Sequence, residues 1–549
     1  MKGAARPGGF EPDLDARVHT MFERWVAATP DATALIGGVR RISYAELNGA
    51  ANRIARYLTA HGLLAGAIVA IALPRGFDLM AAILAVLKAG AGYTLVDARL
   101  PAVRQHVLLA DSGASLLMDQ DLTTRALADT RPVGDPRVTV CPDAVACVIF
   151  TSGASGRPHG VVVPHRALTA TYAAREYAAP GGRQVWLQWS PVSSEAFGLE
   201  LFAALASGGT CVLYPDQQVD ALTVAGLVAA HRVTRLHLAA GLAGSAAGVA
   251  GAIAGAEAMF FDAEDASAWV TARQLGGRRG LRLVSTYGPL ESFGLTAARQ
   301  VTGRNLIPAH IPIGVPIARK GIRVLDEKLQ PAAAGQIGEL WAFGAGLAHG
   351  YARQPGLTAE RFVPDPFGEA GSRMYRTGDL GYLDPGGGLH LTGRVDDQVK
   401  IRGYRVEPGD VAHALHQLAE VKQAAVVARV SNGEPELAAY VTTAAAAPPD
   451  PDRLRAQLAR LLPDHMIPAS VTVVPELPKP ALDARPDAFA QSAVVVNHEE
   501  QCAIWPGEWD VPAGWRTVSK PQTREECIAE IDELWADIRP LSLRRSLGP

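Results

Sequence analysis

The chain has 549 residues, of which 48% are hydrophobic and 19% charged, and its formal net charge is −3. This length exceeds what one hydrophobic core organises, so we expect at least two or three domains. The balanced charge argues against a globally basic nucleic-acid-binding protein, and five cysteines without a CxxC pair are typical of neither a disulfide framework nor a zinc ribbon.

Two features bear on the cellular location. No apolar stretch follows the basic residues of the first 15 positions, which predicts no signal peptide. Residues 238–255 carry no charge, but they are mostly Ala and Gly, which contribute little to membrane insertion, so we expect a buried segment there. Together with the cysteine usage, this predicts a cytoplasmic protein without a membrane partner.

Short β-branched runs alternate with Ala- and Leu-rich helical stretches over roughly the first 390 residues. Strand-like runs occur at 67–73, 146–150, 210–214 and 281–285. Residues 77–90 have the apolar spacing of a helix and end in Gly. Strands that alternate with helices predict an α/β fold with largely parallel sheets.

The composition changes after about residue 392. A charge-rich stretch occupies 393–410, a small α+β pattern follows, and a Pro- and Ala-rich segment begins at 475. The end of the chain holds four of the nine tryptophans, Trp505, Trp509, Trp515 and Trp535. We therefore predict a large domain over 1–392, a small domain over 393–484, a linker at 485–490 and a third module over 491–549.

A candidate phosphate loop lies in residues 147–165, which read CVIFTSGASGRPHGVVVPH. Small residues let the backbone approach an anion closely, and Thr151, Ser152 and Ser155 add hydroxyl donors. The segment is not a Walker loop, because it has no GK[ST] sequence. An ordinary Gly/Ser turn explains the pattern equally well.

Further motifs follow in a fixed order: ISYAELN (42–48), LKAGAGYTLVD (87–97), TYGPLE (286–291), YRTGDL (375–380), GRVDDQVKIRGYRVE (393–407) and LPDHMIP (462–468). Over about residues 15–480 this set resembles the adenylation domains of nonribosomal peptide synthetases, in the adenylate-forming superfamily. The resemblance implies an α/β fold with a large N-terminal domain of mixed sheets and a small α+β lid domain. The tail motifs NHEEQCAIWP (497–506) and WADIRPLSLR (535–544) resemble the MbtH-like proteins, small α+β modules that bind adenylation domains.

The resemblance implies ATP-dependent, Mg²⁺-dependent activation of an amino acid. The substrate carboxylate displaces pyrophosphate from ATP to give an aminoacyl-AMP, and the aminoacyl group then passes to the phosphopantetheine thiol of a carrier protein in trans. In-line phosphoryl transfer of this kind depends on positioning and charge stabilisation. The implied setting is the biosynthesis of nonribosomal peptides or related secondary metabolites, antibiotics among them.

The resemblance also assigns roles to individual residues. The catalytic positions are Thr151, Glu291, Arg394, Asp396 and Lys400. Glu291 matches the Mg²⁺ ligand, and Asp396 matches the hinge about which the small domain rotates between the two half-reactions. The nucleotide-binding positions are Thr151, Ser152, Gly153, Ser155, Gly156, Thr286, Tyr287, Gly288, Glu291, Asp379 and Arg394. Lys400, Arg402 and Arg405 form a basic cluster, for which a solvated strand edge is the alternative.

Two positions depart from the family pattern. His159 stands where the family loop usually has Lys, which removes a fixed positive charge near the phosphates. Ala484 stands where the family has the C-terminal Lys that bridges the substrate carboxylate and the adenylate oxygens. Loss of such a group costs on the order of 10²–10³ in rate. Three outcomes stay open: slow adenylation, replacement by Lys479 or Arg485, or loss of catalysis.

The substrate pocket is predicted from the helix that begins near SSEAFGLELF (193–202). Glu195 stands where most family members have the Asp that binds the substrate amine. The predicted lining is Glu195, Ala196, Leu199, Gly241, Phe261, Ala263, Thr286, Gly294 and Leu295. This set has no second charged group, which predicts a neutral, hydrophobic or small amino acid. For Leu199 and Phe261, ordinary core packing is an equally good interpretation.

The tail is predicted to dock in cis on the adenylation domain through Ala503, Trp505, Pro506 and Trp515. Tryptophan supplies large contact area in protein interfaces, and fusion raises the effective concentration of a weakly binding partner. Residues 491–549 contain six basic and ten acidic side chains, so this module is not expected to bind nucleic acid. The alternative is that the tryptophans only fill a small core.

Two other functions remain open at this stage. The first is a catalytically impaired scaffold whose MbtH-like module serves as a chaperone for other adenylation domains, and the substitution at Ala484 favours it. The second is a coenzyme A ligase for another carboxylic acid, which the MbtH-like tail and Glu195 disfavour.

Overall fold

The computed structural model describes residues 16–129, 134–152, 157–174, 184–215, 219–238, 253, 255–275, 278, 280–301, 311–401, 404–431, 434–443, 449–477, 489 and 491–547. Several predicted positions lie outside these residues: Gly153, Ser155, Gly156, Gly241, Arg402, Lys479, Ala484 and Arg485. Most of the uncharged segment 238–255 also lies outside them. Within the described ranges, no helix combines the length and the apolar character needed to cross a membrane.

The strands and helices alternate over the first half of the chain, as the sequence predicts. The strands are β1 (Thr33–Gly37), β2 (Arg40–Ser43), β3 (Ile68–Ile71), β4 (Gly92–Leu95), β5 (Leu116–Met118), β6 (Val145–Thr151), β7 (His159–Pro164), β8 (Val185–Gln188), β9 (Thr210–Leu213), β10 (Arg235–His237), β11 (Ala258–Asp262), β12 (Arg282–Tyr287), β13 (Ala297–Val301), β14 (Ile311–Pro316), β15 (Lys320–Leu325), β16 (Gly338–Gly344), β17 (Gly350–Tyr351), β18 (Phe362–Pro364), β19 (Arg373–Leu383), β20 (Leu389–Arg394), β21 (Val399–Ile401), β22 (Tyr404–Val406), β23 (Gln423–Ser431), β24 (Glu434–Thr442), β25 (Ser470–Val473), β26 (Gln491–Asn497), β27 (Cys502–Pro506), β28 (Trp515–Thr517) and β29 (Gln522–Thr523). The helices are α1 (Val18–Ala28), α2 (Tyr44–Ala60), α3 (Phe77–Lys88), α4 (Ala102–Ser112), α5 (Gln120–Leu127), α6 (His165–Tyr172), α7 (Glu195–Leu205), α8 (Ala221–His231), α9 (Ala266–Leu275), α10 (Pro355–Arg361), α11 (Pro408–His416), α12 (Pro451–Leu458), α13 (Arg524–Leu534) and α14 (Leu541–Ser546).

Two large sheets form the body of the chain up to β20. One has the strand order β17-β7-β6-β4-β3-β5, and the other runs β15-β16-β19-β20-β14-β13-β12-β11-β10-β8-β9-β1-β2, with β18 paired to β19. Strands β3 to β6 pair in parallel, and so do β10, β11 and β12, whereas β13, β14 and β20 pair antiparallel. The fold is therefore a mixed α/β architecture, with the parallel strands concentrated where the sequence predicts them.

Local sequence explains several of these elements. Helix α2 begins with a capping box, because Ser43 Oγ accepts from the Glu46 N–H at 3.1 Å and Glu46 Oε2 accepts from the Ser43 N–H at 2.7 Å. Helix α3 is apolar on all sides and lies in the main core, where its residues from Leu79 onward are buried. The predicted strands at 146–150 and 210–214 correspond to β6 and β9.

Three smaller sheets follow β20. Strands β21 and β22 form a hairpin, β23-β24-β25 form a three-stranded sheet, and β27-β26-β28 form a sheet to which β29 adds through β26. The three-stranded sheet packs with α11 and α12 around its own apolar cluster, which includes Val406, Leu415 and Leu454. The last sheet packs with α13, so the two small units have the α+β character predicted for them.

Candidate active site

A cavity of about 330 Å³ lies where strand ends of both large sheets meet the β21–β22 hairpin. Thr151, Ser152, Asp262 and Thr286 line it, and all four lie at or near the carboxyl ends of β6, β11 and β12. The carboxyl ends of parallel strands are the usual place for ligand sites in α/β sheets. Predicted nucleotide and substrate positions thus meet in one cavity.

The predicted ribose-binding carboxylate, Asp379, is held from two sides. Tyr287 donates its hydroxyl to Asp379 Oδ2, and Arg394 donates to Asp379 Oδ1. Burial, and then the nearby Glu264 carboxylate, raise the pKa of Asp379 to about 7 against the opposing effect of Arg394. Because each carboxylate oxygen has two acceptor sites, Asp379 retains capacity for two further hydrogen bonds.

Arg394 also reaches the predicted hinge residue. Its Nε and Nη2 donate to the two carboxylate oxygens of Asp396 at 2.6 and 2.9 Å, in the bidentate geometry typical of strong charge-assisted pairs. This contact lowers the pKa of Asp396 although burial opposes the shift. Asp396 lies outside the cavity lining, whereas Arg394 is part of it. Arg394 thus connects Asp396 with Asp379 on the cavity wall.

Glu291, the predicted metal ligand, is only 1% exposed and fully engaged. Arg405 Nη1 lies 3.0 and 3.1 Å from its two carboxylate oxygens, and the Tyr351 hydroxyl donates to Oε1 at 2.6 Å. Burial favours the protonated carboxyl, but the Arg405 guanidinium outweighs it and lowers the pKa of Glu291. In the described part of the chain, no group of three or more His, Cys, Asp or Glu side chains could hold a metal ion by itself.

The β21–β22 hairpin closes over this region through two further contacts. Lys400 Nζ pairs with the Asp262 and Glu264 carboxylates, and the Ser152 hydroxyl donates to the backbone carbonyl of Arg405 at 2.6 Å. The two carboxylates raise the pKa of Lys400 even though burial favours the neutral amine. Lys400 and Arg405 are therefore partly buried cations that pair with acids of the large body. The alternative interpretation, a solvated strand edge, therefore does not hold for Lys400 and Arg405, because both form ion pairs.

Glu195 is the first residue of α7, whose cap is the Ser194 hydroxyl. It lines the cavity, and its Oε1 has no hydrogen-bond partner among the described residues. Burial raises the pKa of this carboxyl to about 8. A Cβ added at Gly294 would lie 3.2 Å from Glu195 Oε1. A glycine at this position therefore avoids a close contact with the carboxyl group. An unpaired carboxyl oxygen at a cavity wall is suited to a ligand ammonium group.

Lys320 lies behind this wall and was not identified from the sequence. Its Nζ donates to Thr171 Oγ1 at 2.6 Å and to the Ser292 and Phe293 carbonyls at 2.8 and 2.7 Å. Burial lowers its pKa to about 7, while the Glu195 carboxylate opposes that shift. No motif signals this role, because all the partners of Lys320 come from segments far away along the chain.

Only some of the residues predicted to line the substrate pocket lie on the cavity wall. Ala196, Leu199, Thr286, Gly294 and Leu295 line the cavity with Glu195. Gly288 lines it too, and its backbone approaches so closely that an added Cβ would lie 1.7 Å from the Gly294 carbonyl. Tyr287 and Glu291 lie behind the lining, through their contacts with Asp379 and Arg405.

Two predicted pocket residues face the core instead. Phe261 packs edge-on against Trp269, and Ala263 belongs to the cluster around Tyr287. Their neighbours Asp262 and Glu264 line the cavity. Side chains alternate between the two faces of a strand, so a one-residue error in register exchanges the whole set. The expectation of no second charged group is therefore wrong.

His159, the substituted loop position, starts β7 and bridges to Thr151 at the end of β6. Its Nδ1 lies 2.6 Å from Gln354 Oε1, and burial lowers its pKa. The imidazole is thus neutral at pH 7, as the sequence predicts.

The C-terminal module contacts the large body directly. Trp515 Nε1 donates to the Ser372 carbonyl at 3.2 Å, and Asn497 Nδ2 donates to the Gly371 carbonyl at 2.9 Å. The shared apolar cluster consists of Leu325, Leu329, Trp341, Val363, Met374, Val495, Ala503, Trp505 and Trp515. Pro506 is buried in β27. Of the predicted interface residues, Ala503, Trp505 and Trp515 belong to this shared cluster.

Comparison with protein families matches three regions of the chain. Residues 22–352 match the model described as AMP-binding enzyme, residues 410–482 the AMP-binding enzyme C-terminal domain, and residues 484–547 the MbtH-like protein.

Relatives and solved structures agree with these matches. Novobiocin biosynthesis protein H of Streptomyces niveus is 35% identical, over 85% of this chain and 81% of its own length. The probable non-canonical nonribosomal peptide synthetase CymA of Salinispora arenicola is 39% identical over 84% of this chain. The chain spans only 6% of the length of CymA.

Among solved structures, an artificially fused adenylation–PCP di-domain, NpsA-ThdA from Klebsiella oxytoca, has a TM-score of 0.77 at 26% identity, covering 83% of this chain and 94% of its own. PA1221, with adenylation and PCP domains and a bound vinylsulfonamide inhibitor, has a TM-score of 0.75 at 27% identity, covering 85% of this chain and 83% of its own. The chain belongs to the AMP-binding enzymes, as a nonribosomal peptide synthetase adenylation domain that carries an MbtH-like domain at its C-terminus.

Proposed function

We propose that the protein activates an amino acid with ATP as an aminoacyl-AMP and transfers it to the phosphopantetheine thiol of a carrier protein in trans, with help from its own MbtH-like module. One observation carries the amino-acid assignment. The cavity that contains the Asp379–Arg394 cluster also contains the unpartnered carboxyl oxygen of Glu195. An ammonium group of the substrate satisfies that oxygen.

The residues present fit a nucleotide with its metal ion. Thr151 and Ser152 offer hydroxyl groups at the end of β6, and Asp379 has acceptor capacity for two ribose hydroxyls. Mg²⁺ would be held by Glu291 together with the phosphates, where it would neutralise negative charge. Because Arg405 contacts both Glu291 oxygens, Mg²⁺ would have to compete with this guanidinium of the β21–β22 hairpin for the carboxylate. The arrangement therefore supports a small domain that moves between two steps, with Asp396 at its start.

The cavity supports a substrate with a small or apolar side chain. Leu199, Gly294 and Leu295 provide apolar or open wall beside Glu195, whereas Asp262 and Glu264 are both already paired with Lys400. A charged substrate side chain would have to compete for those ion pairs or remain unpaired. We therefore propose a neutral amino acid whose side chain is small or hydrophobic.

Amino-acid-dependent exchange of labelled pyrophosphate into ATP tests this function across all standard amino acids. We expect exchange with one or a few neutral amino acids, and none with the variant Glu195→Gln. Calorimetry with MgATP serves as the control for an intact nucleotide site. MgATP binding without exchange for any amino acid would contradict the proposal and favour the scaffold with a chaperone module, which the substitution at Ala484 suggests.

A further inference from the structure

Helix α10 lies between the MbtH-like module and the phosphate side of the cavity. It has seven residues, begins at Pro355, and its N-terminal flanking residue Gln354 makes no side-chain capping bond. The first N–H groups of a helix have no partners within the helix, so they need acceptors from elsewhere. Here the acceptor comes from the module.

Asp532 of α13 supplies that acceptor. Its Oδ1 accepts from the Gly356 N–H at 2.8 Å, and at the other end of α10 Arg524 pairs with Glu360. The two helices touch so closely that a Cβ at position 356 would lie 2.7 Å from Ile528 Cγ2 and 2.9 Å from Asp532 Oδ1. A carboxylate at a helix N-terminus also interacts favourably with the helix dipole.

The capping by Asp532 leaves the Gln354 side chain available for the phosphate loop. Gln354 Oε1 lies 2.6 Å from His159 Nδ1, and its Nε2 donates to the Pro158 carbonyl at 3.2 Å. Pro158 and His159 directly follow the Gly/Ser-rich loop, and His159 pairs with Thr151 across β6 and β7. One glutamine thus connects the start of α10 with β7 and the residue before it, and β7 in turn pairs with β6.

A second chain of hydrogen bonds begins at Thr358, in the middle of α10, and ends at Glu291. Thr358 Oγ1 accepts from the Tyr351 N–H at 2.9 Å, and the Tyr351 hydroxyl donates to Glu291 at 2.6 Å. Both connections end at residues on the phosphate and metal side. None of them involves the Glu195 wall. The contacts described for α10 therefore reach only one side of the cavity, the side predicted to bind the phosphates and the metal ion.

We propose that Asp532 is a positioning residue through which the docked module organises the phosphate side of the active site. Asp532 fixes the start of α10, and α10 places Gln354 against the phosphate loop and Tyr351 against Glu291. The module consequently sets the affinity for MgATP and leaves the affinity for the amino acid unchanged. This inference rests on the adenylation function proposed above.

Kinetics of Asp532→Ala test the proposal. Loss of a helix cap leads us to expect a KM for ATP about fivefold higher, with an unchanged KM for the amino acid. Asp532→Asn, which keeps an acceptor oxygen, should restore the wild-type value. Arg524→Gln is the matched control, because it weakens docking at the other end of α10 and keeps the cap. An equal rise of both KM values, or the same ATP effect from Arg524→Gln, would overturn the proposal.

Hydrogen exchange provides a readout that does not depend on catalysis. We expect faster exchange of the amides of residues 157–164 in Asp532→Ala and in Gln354→Leu, and wild-type exchange in Arg524→Gln. Unchanged protection in both Asp532→Ala and Gln354→Leu would overturn the inference. If the wild-type protein shows no pyrophosphate exchange, the proposed function fails. Hydrogen exchange and the MgATP affinity measured by calorimetry then still decide the role of Asp532.

Discussion

Glu195 and Lys320 are two ionisable groups near the segment that ends at Gly294, and each influences the pKa of the other. Burial shifts the two pKa values toward each other, to about 8 for Glu195 and about 7 for Lys320. All three Lys320 hydrogen bonds go to the segment before Gly294 and to α6, so the lysine fixes the wall that faces Glu195. Charge at this wall consequently changes within the physiological pH range.

These two groups predict a pH-dependent affinity for the amino acid. Below its pKa of about 8, the Glu195 carboxyl is protonated and carries no charge to pair with the substrate ammonium. Affinity should therefore rise with pH between 6 and 8, by up to about tenfold per unit. The measurement is KM for the amino acid against pH in the exchange assay. Glu195→Asp keeps the carboxyl and should keep the pH dependence, and a flat wild-type profile would contradict this role.

Three residues singled out by sequence motifs line the cavity. Thr151 and Arg394 end β6 and β20, and Asp379 lies within β19, paired in register with Arg394. Phe261 and Ala263 were misplaced by a single residue, because the Ala/Gly-rich stretch before β11 offers no periodicity to set the register. Lys320 has no sequence signal, since its partners are one hydroxyl and two carbonyl groups from other segments of the chain.

The β21–β22 hairpin is the element that controls access to Glu291. Arg405 occupies both oxygens of the predicted metal ligand, while Lys400 occupies Asp262 and Glu264. Both cations lie on a two-stranded unit that belongs to neither large sheet. Its ion pairs stabilise the closed arrangement and oppose Mg²⁺ binding at Glu291.

Removal of Arg405 should therefore strengthen MgATP binding. In Arg405→Gln the metal no longer displaces charge-assisted hydrogen bonds, which contribute roughly 1.5–3 kcal/mol each. We expect a Kd for MgATP about tenfold lower by calorimetry, together with a lower melting temperature, because Glu291 then remains buried without its counter-charge. Lys400→Gln is the control, since it removes a hairpin cation and leaves the Arg405–Glu291 pair intact. A weaker Kd in Arg405→Gln would show that the arginine binds the nucleotide.

At the scale of the whole molecule, the MbtH-like module covers apolar surface of the large body. Trp341 and Met374 are 1% and 0% exposed, and both belong to the cluster completed by Trp505 and Trp515. Val140 and Ala144 are covered in the same way by Leu543 of α14. Without the module these residues would form exposed apolar patches, which favour aggregation.

Truncation of one interface tryptophan tests this dependence. Trp515 is 8% exposed and donates to the Ser372 carbonyl, so Trp515→Ala should cost about 3–5 kcal/mol of stability. We expect less soluble protein and a lower melting temperature by calorimetry. Trp515→Phe keeps most of the ring contact and should have a clearly smaller effect. If Trp515→Ala behaves like wild type, docking in cis is not what the module contributes.

The sequence by itself determined the local and repeated features of this protein. Helical spacing, strand-like runs and short motifs act over a few residues, so α3, β6, β9 and the three family regions could be identified before any contact was known. The tertiary structure alone decided which distant groups meet. Lys400 pairs with Asp262 across 138 residues, and Asp532 caps α10 across 176 residues. These contacts depend on how whole units pack, which no local spacing encodes.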